Sequence, residues 1–130
     1  MSVTEDYCSF ELNKLLKEKG FDAPVNMTYD TKGIIAAKWI DPSLDYISRD
    51  WMFPRVTHQM ALKWLREVHK ININVLYDLQ RFIKTNGTTE NVGVYEVDVI
   101  TENGTIYIGN WNHHESACEA AIKYCLTNLI

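Results

Sequence analysis

Apolar residues recur at three- and four-residue intervals from Met60 to Ile71 and at every second position from there to Tyr77. This change of period organises the chain. At roughly 100° per residue, Met60, Ala61, Trp64, Leu65, Val68 and Ile71 fall within an arc of roughly 140°, the stripe of a core-facing helix. Gln59, Lys63, Arg66 and Lys70 stand opposite. Thr57, following Pro54-Arg55-Val56, is the expected N-cap, with Val56 placed to staple the entry. After Lys70 the alternation of Ile71, Ile73, Val75 and Tyr77 with Asn72, Asn74, Leu76 and Asp78 predicts a strand with one apolar face. It is expected to run from Asn72 as far as Lys84, with residues 79–83 either continuing it across a bulge or forming a short turn.

Two more strands follow. Asn86-Gly87 marks a turn, and residues 94–100 alternate cleanly, with Tyr95, Val97 and Val99 on one face. Asn103-Gly104 is read as the centre of a type I′ turn that returns the chain through residues 105–109. The expected product is a three-stranded antiparallel meander. Residues 115–129 then predict a helix, opened by a capping box of Asn112 and Glu115, with Ala117, Cys118, Ala121, Ile122, Cys125, Leu126 and Leu129 facing the sheet.

Upstream, residues 9–19 read as a short helix with Leu12, Leu15 and Leu16 inward and Gly20 closing its end. Its start is open between Ser9 and Thr4. Residues 26–29 and 34–40, joined by Asp30-Thr31-Lys32-Gly33, suggest a hairpin. The fold class is therefore α+β: the meander packed against central and C-terminal helices, with an N-terminal helix and a short hairpin, in one domain of 130 residues.

Residues 41–55 form the longest stretch without regular periodicity. Long connections of this kind often carry function. Tyr46, Trp51, Phe53 and Arg55 make it a candidate partner-binding surface if the aromatics are exposed, and a satellite core cluster if they tuck under the chain. A second candidate is the stripe Lys63, Arg66 and Lys70 as a nucleic-acid contact, weighed against its reading as the solvated face of an amphipathic helix.

Composition narrows these options. A hydrophobic share of 46% with 23% charged residues describes an ordinary folded chain, and a formal net charge of -4 provides no general field for nucleic acid or anionic membranes. No apolar run approaches the roughly 20 residues of a membrane helix, and the acidic opening lacks the layout of a signal peptide, so a cytoplasmic protein with no membrane partner is expected. Cys8, Cys118 and Cys125 form no disulfide framework and read as small buried hydrophobes. His114 and Cys118 share a helical face, but no third or fourth ligand lies at a recognised spacing, so no metal and no cofactor are expected. No nucleophile elbow, Walker loop or dinucleotide fingerprint appears, and enzyme activity has no positive signal.

Three phrases bear on family. Ser9-Phe10-Glu11-Leu12 with Lys14 to Phe21, then Gln59-Met60-Ala61-Leu62-Lys63-Trp64-Leu65-Arg66-Glu67, and finally Glu119-Ala120-Ala121-Ile122-Lys123-Tyr124-Cys125-Leu126, resemble a family of small uncharacterised proteins carried by bacterial phages and mobile elements. The resemblance implies a genomic context and nothing about chemistry, and it brings no functional residue; the expectation of a small binding or adaptor protein with a protein partner rests on the aromatic loop of residues 41–55. Separately, the order helix, three strands, helix is similar to that of a double-stranded RNA-binding domain, with Ala117 to Ala121 like the start of that module's last helix. That likeness is one of fold order alone and does not imply function; nucleic-acid binding stands as the alternative function through the Lys63, Arg66 and Lys70 stripe. The phosphate-binding lysines of that family are replaced here by His113, His114, Glu115 and Glu119.

Overall fold

In the computed structural model, which describes residues 4–35 and 45–130, Thr57 caps the central helix as its sequence predicts. Its Oγ1 accepts from the Met60 N–H at 3.1 Å, opening α3 (His58–His69). In chain order the other elements are α1 (Phe10–Glu18), β1 (Thr28–Tyr29), α2 (Asp45–Ser48), β2 (Phe53–Pro54), β3 (Asn72–Ile83), β4 (Thr89–Thr101), β5 (Gly104–Trp111) and α4 (His114–Asn128). The architecture is α+β. The three-stranded sheet has the antiparallel order β3-β4-β5, and β1 pairs with β2 in a second, two-stranded sheet.

The buried side of α3 is turned from the expected stripe. Ala61, Trp64, Leu65 and Ile71 are buried, but Met60 and Val68 are 39% and 57% exposed and His58 is buried in their stead. The reason is α4, which packs along the His58 edge of α3 while β3 takes the other. The helix closes at Lys70 in the left-handed conformation (φ 57°), and the Ile71 N–H returns to the Leu65 carbonyl at 3.1 Å.

β3 pairs with β4 in a single register from Asn72↔Ile100 to Ile83↔Thr89, so residues 79–83 continue the strand with neither bulge nor turn. β4 begins five positions before the expected residue 94, at Thr89. Both hairpin turns place the positive φ on glycine alone, 83° at Gly87 and 124° at Gly104; Asn103 is not among the positive-φ residues. The β4–β5 turn is thus centred on Glu102 and Asn103, with Thr101 opposite Gly104, rather than the type I′ turn centred one residue later. A type I′ turn needs positive φ at both central positions.

His113, not Asn112, is the N-cap residue of α4, and its side chain makes no cap hydrogen bond. The inward arc of α4 is as read: Ala117, Cys118, Ala121, Ile122, Cys125 and Leu126 are all buried. Ser9 settles the start of α1, its Oγ accepting from the Leu12 N–H at 3.1 Å. At the other end Gly20 has φ 97° and Phe21 packs back, 2% exposed.

The hairpin after Tyr29 is present at its turn, where the Asp30 N–H donates to Ile34 at 3.0 Å and Tyr29 bridges Ile35; residues 36–40 of that expectation lie outside the described residues. The strand partner of β1 is β2, from within the stretch read as irregular. That stretch, outside residues 41–44, which are not described, holds both α2 and β2. One core cluster joins Cys8, Leu16, Met52, Leu65, Val97 and Ile122, drawing on α1, α3, β4 and α4.

Candidate interaction surface

No residue of β3 is fully buried. The strand faces the core through Ile73 and Val75, both partly covered, and then runs past it. β5 ends with Trp111 opposite Tyr95, and Tyr95 pairs with Tyr77 on β3. Among the described residues, 78–83 and 89–94 therefore continue without a third strand as a ribbon about 20 Å long at the usual rise per residue.

Side chains at odd positions of β3 share the face of Ile73 and Val75; those at even positions take the other. Both carry exposed apolar residues. Leu79 and Ile83 are 64% and 78% exposed on the first face, Leu76 and Phe82 each 48% on the second. Within the ribbon, Tyr77 meets Tyr95 edge to face at 5.1 Å. The Tyr77 ring also lies across Gly93, where a Cβ would fall 2.1 Å from its hydroxyl.

The backbone edge is open as well. The Lys84 N–H donates to Thr88 at 2.8 Å, and alternate residues of an antiparallel strand bond to the same neighbour. Even-numbered β3 residues therefore bond to β4, and Ile73, Val75, Tyr77, Leu79, Arg81 and Ile83 turn their N–H and C=O groups outward. Among the described residues no strand pairs with that edge. Long, unbulged edges are what proteins usually shorten, bend or charge; here the charges along it are Asp78, Arg81 and Lys84, with Lys84 held 3.3 Å from Glu90.

The residues singled out in the sequence do not gather at one place. Tyr46 is a core residue whose hydroxyl donates to the Ala23 carbonyl. Trp51 is 50% exposed, with the Arg49 guanidinium 5.6 Å from its ring. Phe53 is half-buried against Phe10 at 5.7 Å, and Lys17, whose Nζ donates to the Arg49 and Met52 carbonyls, lies over its ring. Arg55 stacks 3.6 Å from the Tyr7 centroid and donates to the Tyr29 hydroxyl at 3.2 Å. Lys63, Arg66 and Lys70 are exposed on α3; Lys70 Nζ donates to the Glu67 carbonyl, and Arg66 Nε lies 3.9 Å from the Glu67 carboxylate. One residue from each set, Arg55 and Lys63, shares an open groove of about 350 Å³ with Tyr7, Met27 and Met60.

A third constellation escaped the sequence reading. Donor atoms of Cys8, His58 and Glu119 lie within 4.8 Å of one another, a set that can hold a divalent metal with a fourth position open. In the structure they work as a clamp. Glu119 accepts His58 Nε2 at 3.0 Å and the Ser9 N–H at 3.1 and 3.3 Å through its two oxygens, tying the start of α1 and the start of α3 to α4. Burial raises the proton affinity of Glu119, but the hydrogen bonds from His58 and Ser9 outweigh it and leave the carboxyl below its ordinary value. Burial, with Glu119 adding to it, pushes the Cys8 thiol well above the usual range, the opposite of an activated nucleophile. The other two thiols are raised by burial to about 11 at Cys118 and about 12 at Cys125. His58 and Glu119 stand 61 residues apart, so no local spacing announces the clamp.

The ribbon did leave a trace in the sequence. Leu76, Tyr77, Leu79, Phe82 and Ile83 occupy both parities, a pattern normally belonging to a strand buried on both faces. It occurs here in a strand at the edge of a sheet. Comparison with protein-family models, with curated proteins and with solved structures finds no match to this chain.

Proposed function

We propose that the protein is a small, non-catalytic binding domain that engages a protein partner through the β3–β4 ribbon. One observation carries the reading: a strand with exposed apolar side chains on both faces, its backbone edge unpaired among the described residues, extends beyond the core that anchors it. An isolated two-stranded ribbon is marginal in water, and nothing in the packing of α3 and α4 requires β3 and β4 to run six residues past Tyr77 and Tyr95. Added strand pairing supplies main-chain hydrogen bonds, and side-chain complementarity on either face supplies selectivity. In this reading the protein belongs to the phage and mobile-element context that its resemblance implies and works in the compartment where it is made. The loop residues Trp51 and Arg55 flank separate surfaces and are secondary to the ribbon in this account.

The test is site-specific photo-crosslinking in extracts of the cell that makes the protein, with the photoreactive residue at Ile83 or, as control, at the exposed Lys123 on α4. Discrete adducts from position 83 that are absent from position 123 are expected. A position 83 that yields no adduct beyond the control overturns the assignment of the ribbon.

A further inference from the structure

Resting on that reading, we infer that the ribbon's partner is a second copy of this chain, joined β3 to β3 about a two-fold axis through Leu79. A two-fold normal to the sheet makes two copies of one strand antiparallel and keeps every side chain on its own face. The outward-bonding odd residues then meet odd residues, exchanging N–H···O=C bonds as in any antiparallel ladder. The open edge of β3 satisfies this backbone condition without adjustment.

Side-chain matching selects the register. With the axis at Leu79, Leu79 meets its own copy, Val75 meets Ile83 and Tyr77 meets Arg81 on one face. On the other face Leu76 meets Phe82, Asp78 meets Gln80 and Asn74 meets Lys84. Every aliphatic residue in the set finds an apolar partner, Arg81 lies against an aromatic ring, and no like charges stand opposite. Neighbouring registers fail on the same criteria. An axis at Asp78 or Arg81 sets like charges face to face, and one at Gln80 puts Leu76 against Lys84 and Leu79 against Arg81. An axis at Tyr77 sets Phe82 against Asn72 and Arg81 against Ile73.

Eleven paired residues per copy, with side chains on both faces, bury on the order of 1,000 Å² in total, the low end for a specific association. Interfaces of this size belong to weak, reversible associations, and dimerisation at roughly micromolar concentrations is expected.

Sedimentation velocity of the full chain from about 1 to about 100 µM reads this directly. A concentration-dependent dimer is expected, with Leu79→Asp, which sets two carboxylates opposite each other, raising the dissociation constant at least about tenfold. Under mild oxidation Leu79→Cys is expected to trap the dimer through its own copy, whereas Ile83→Cys, far from its symmetry mate in this register, is not. Both sites are exposed, and a far-UV spectrum checks that the variants fold. A dimer that traps equally through position 83, or not at all through 79, overturns the register. A monomer at every concentration that still gives discrete adducts with a different protein from position 83 overturns the second copy as partner and leaves the binding role standing. A monomer without such adducts overturns both.

Discussion

At Glu119 burial alone would hold the proton on, yet the Ser9 amide and the His58 ring keep the carboxyl below its ordinary range. A folded-state value depressed below the unfolded one means that the ionised form stabilises the fold. That contribution is complete above the ordinary carboxylate range and disappears as the pH falls through the depressed value. Glu119→Gln keeps the size and one acceptor but loses the charge, and should cost about 1.5–3 kcal/mol at neutral pH, the range for a hydrogen bond to a charged group. The cost should shrink towards nothing in acid. Urea unfolding midpoints of both proteins at neutral and acid pH check this, and an equal loss at the two conditions would exclude the carboxylate as the source. Such residues are the least legible from sequence. His58 precedes the apolar stripe of the central helix and Asn13 stands between Leu12 and Lys14, yet both are buried. Asn13 donates to the Cys8 and Ser9 carbonyls and accepts from the Val56 N–H. Periodicity registers apolar positions; a buried polar side chain is specified by partners far along the chain.

Elements were legible in proportion to the length of their period. The arc of α4, the Thr57 cap, the core-facing Tyr95, Val97 and Val99, and the Ala61, Trp64, Leu65 and Ile71 part of the α3 stripe reappear in the structure, because each is dictated by local geometry repeated over several turns or pleats. Short features were decided by tertiary contact. β1 and β2 are two residues each and pair with each other from distant parts of the chain, Tyr29 also bridging Ile35, and the buried side of α3 turned towards His58 once α4 was in place. The ribbon is an element of the opposite kind, regular in hydrogen bonding but poor in packing. Exposed side chains that support no core should be replaceable at little cost. The double variant Leu79→Ser/Ile83→Ser is therefore expected to unfold within about 0.5 kcal/mol of the parent when both are compared at dilutions where each is monomeric. A loss of several kcal/mol would place these side chains in the fold instead of on its surface.

For the molecule as a whole, the sequence conveyed the class and the meander but not the shape. Fold class follows from the order of the periods, whereas the ribbon follows from a mismatch of lengths: β5 is eight residues long, β3 twelve and β4 thirteen. Where β5 would stop along its neighbour depends on the turn at Gly104 and the irregularity between Val97 and Asp98, and neither has a composition that fixes a register. The account of function stands on the outer edge of β3 being open in a single copy of the chain. Residue-resolved amide exchange of dilute protein measures that edge most directly. The N–H groups of Leu76, Asp78, Gln80 and Phe82, bonded to β4, are expected to be protected, and those of Tyr77, Leu79, Arg81 and Ile83 to exchange quickly until the concentration is raised. Equal protection of the two sets at high dilution would show that the edge is already covered within one chain, and would contradict the account.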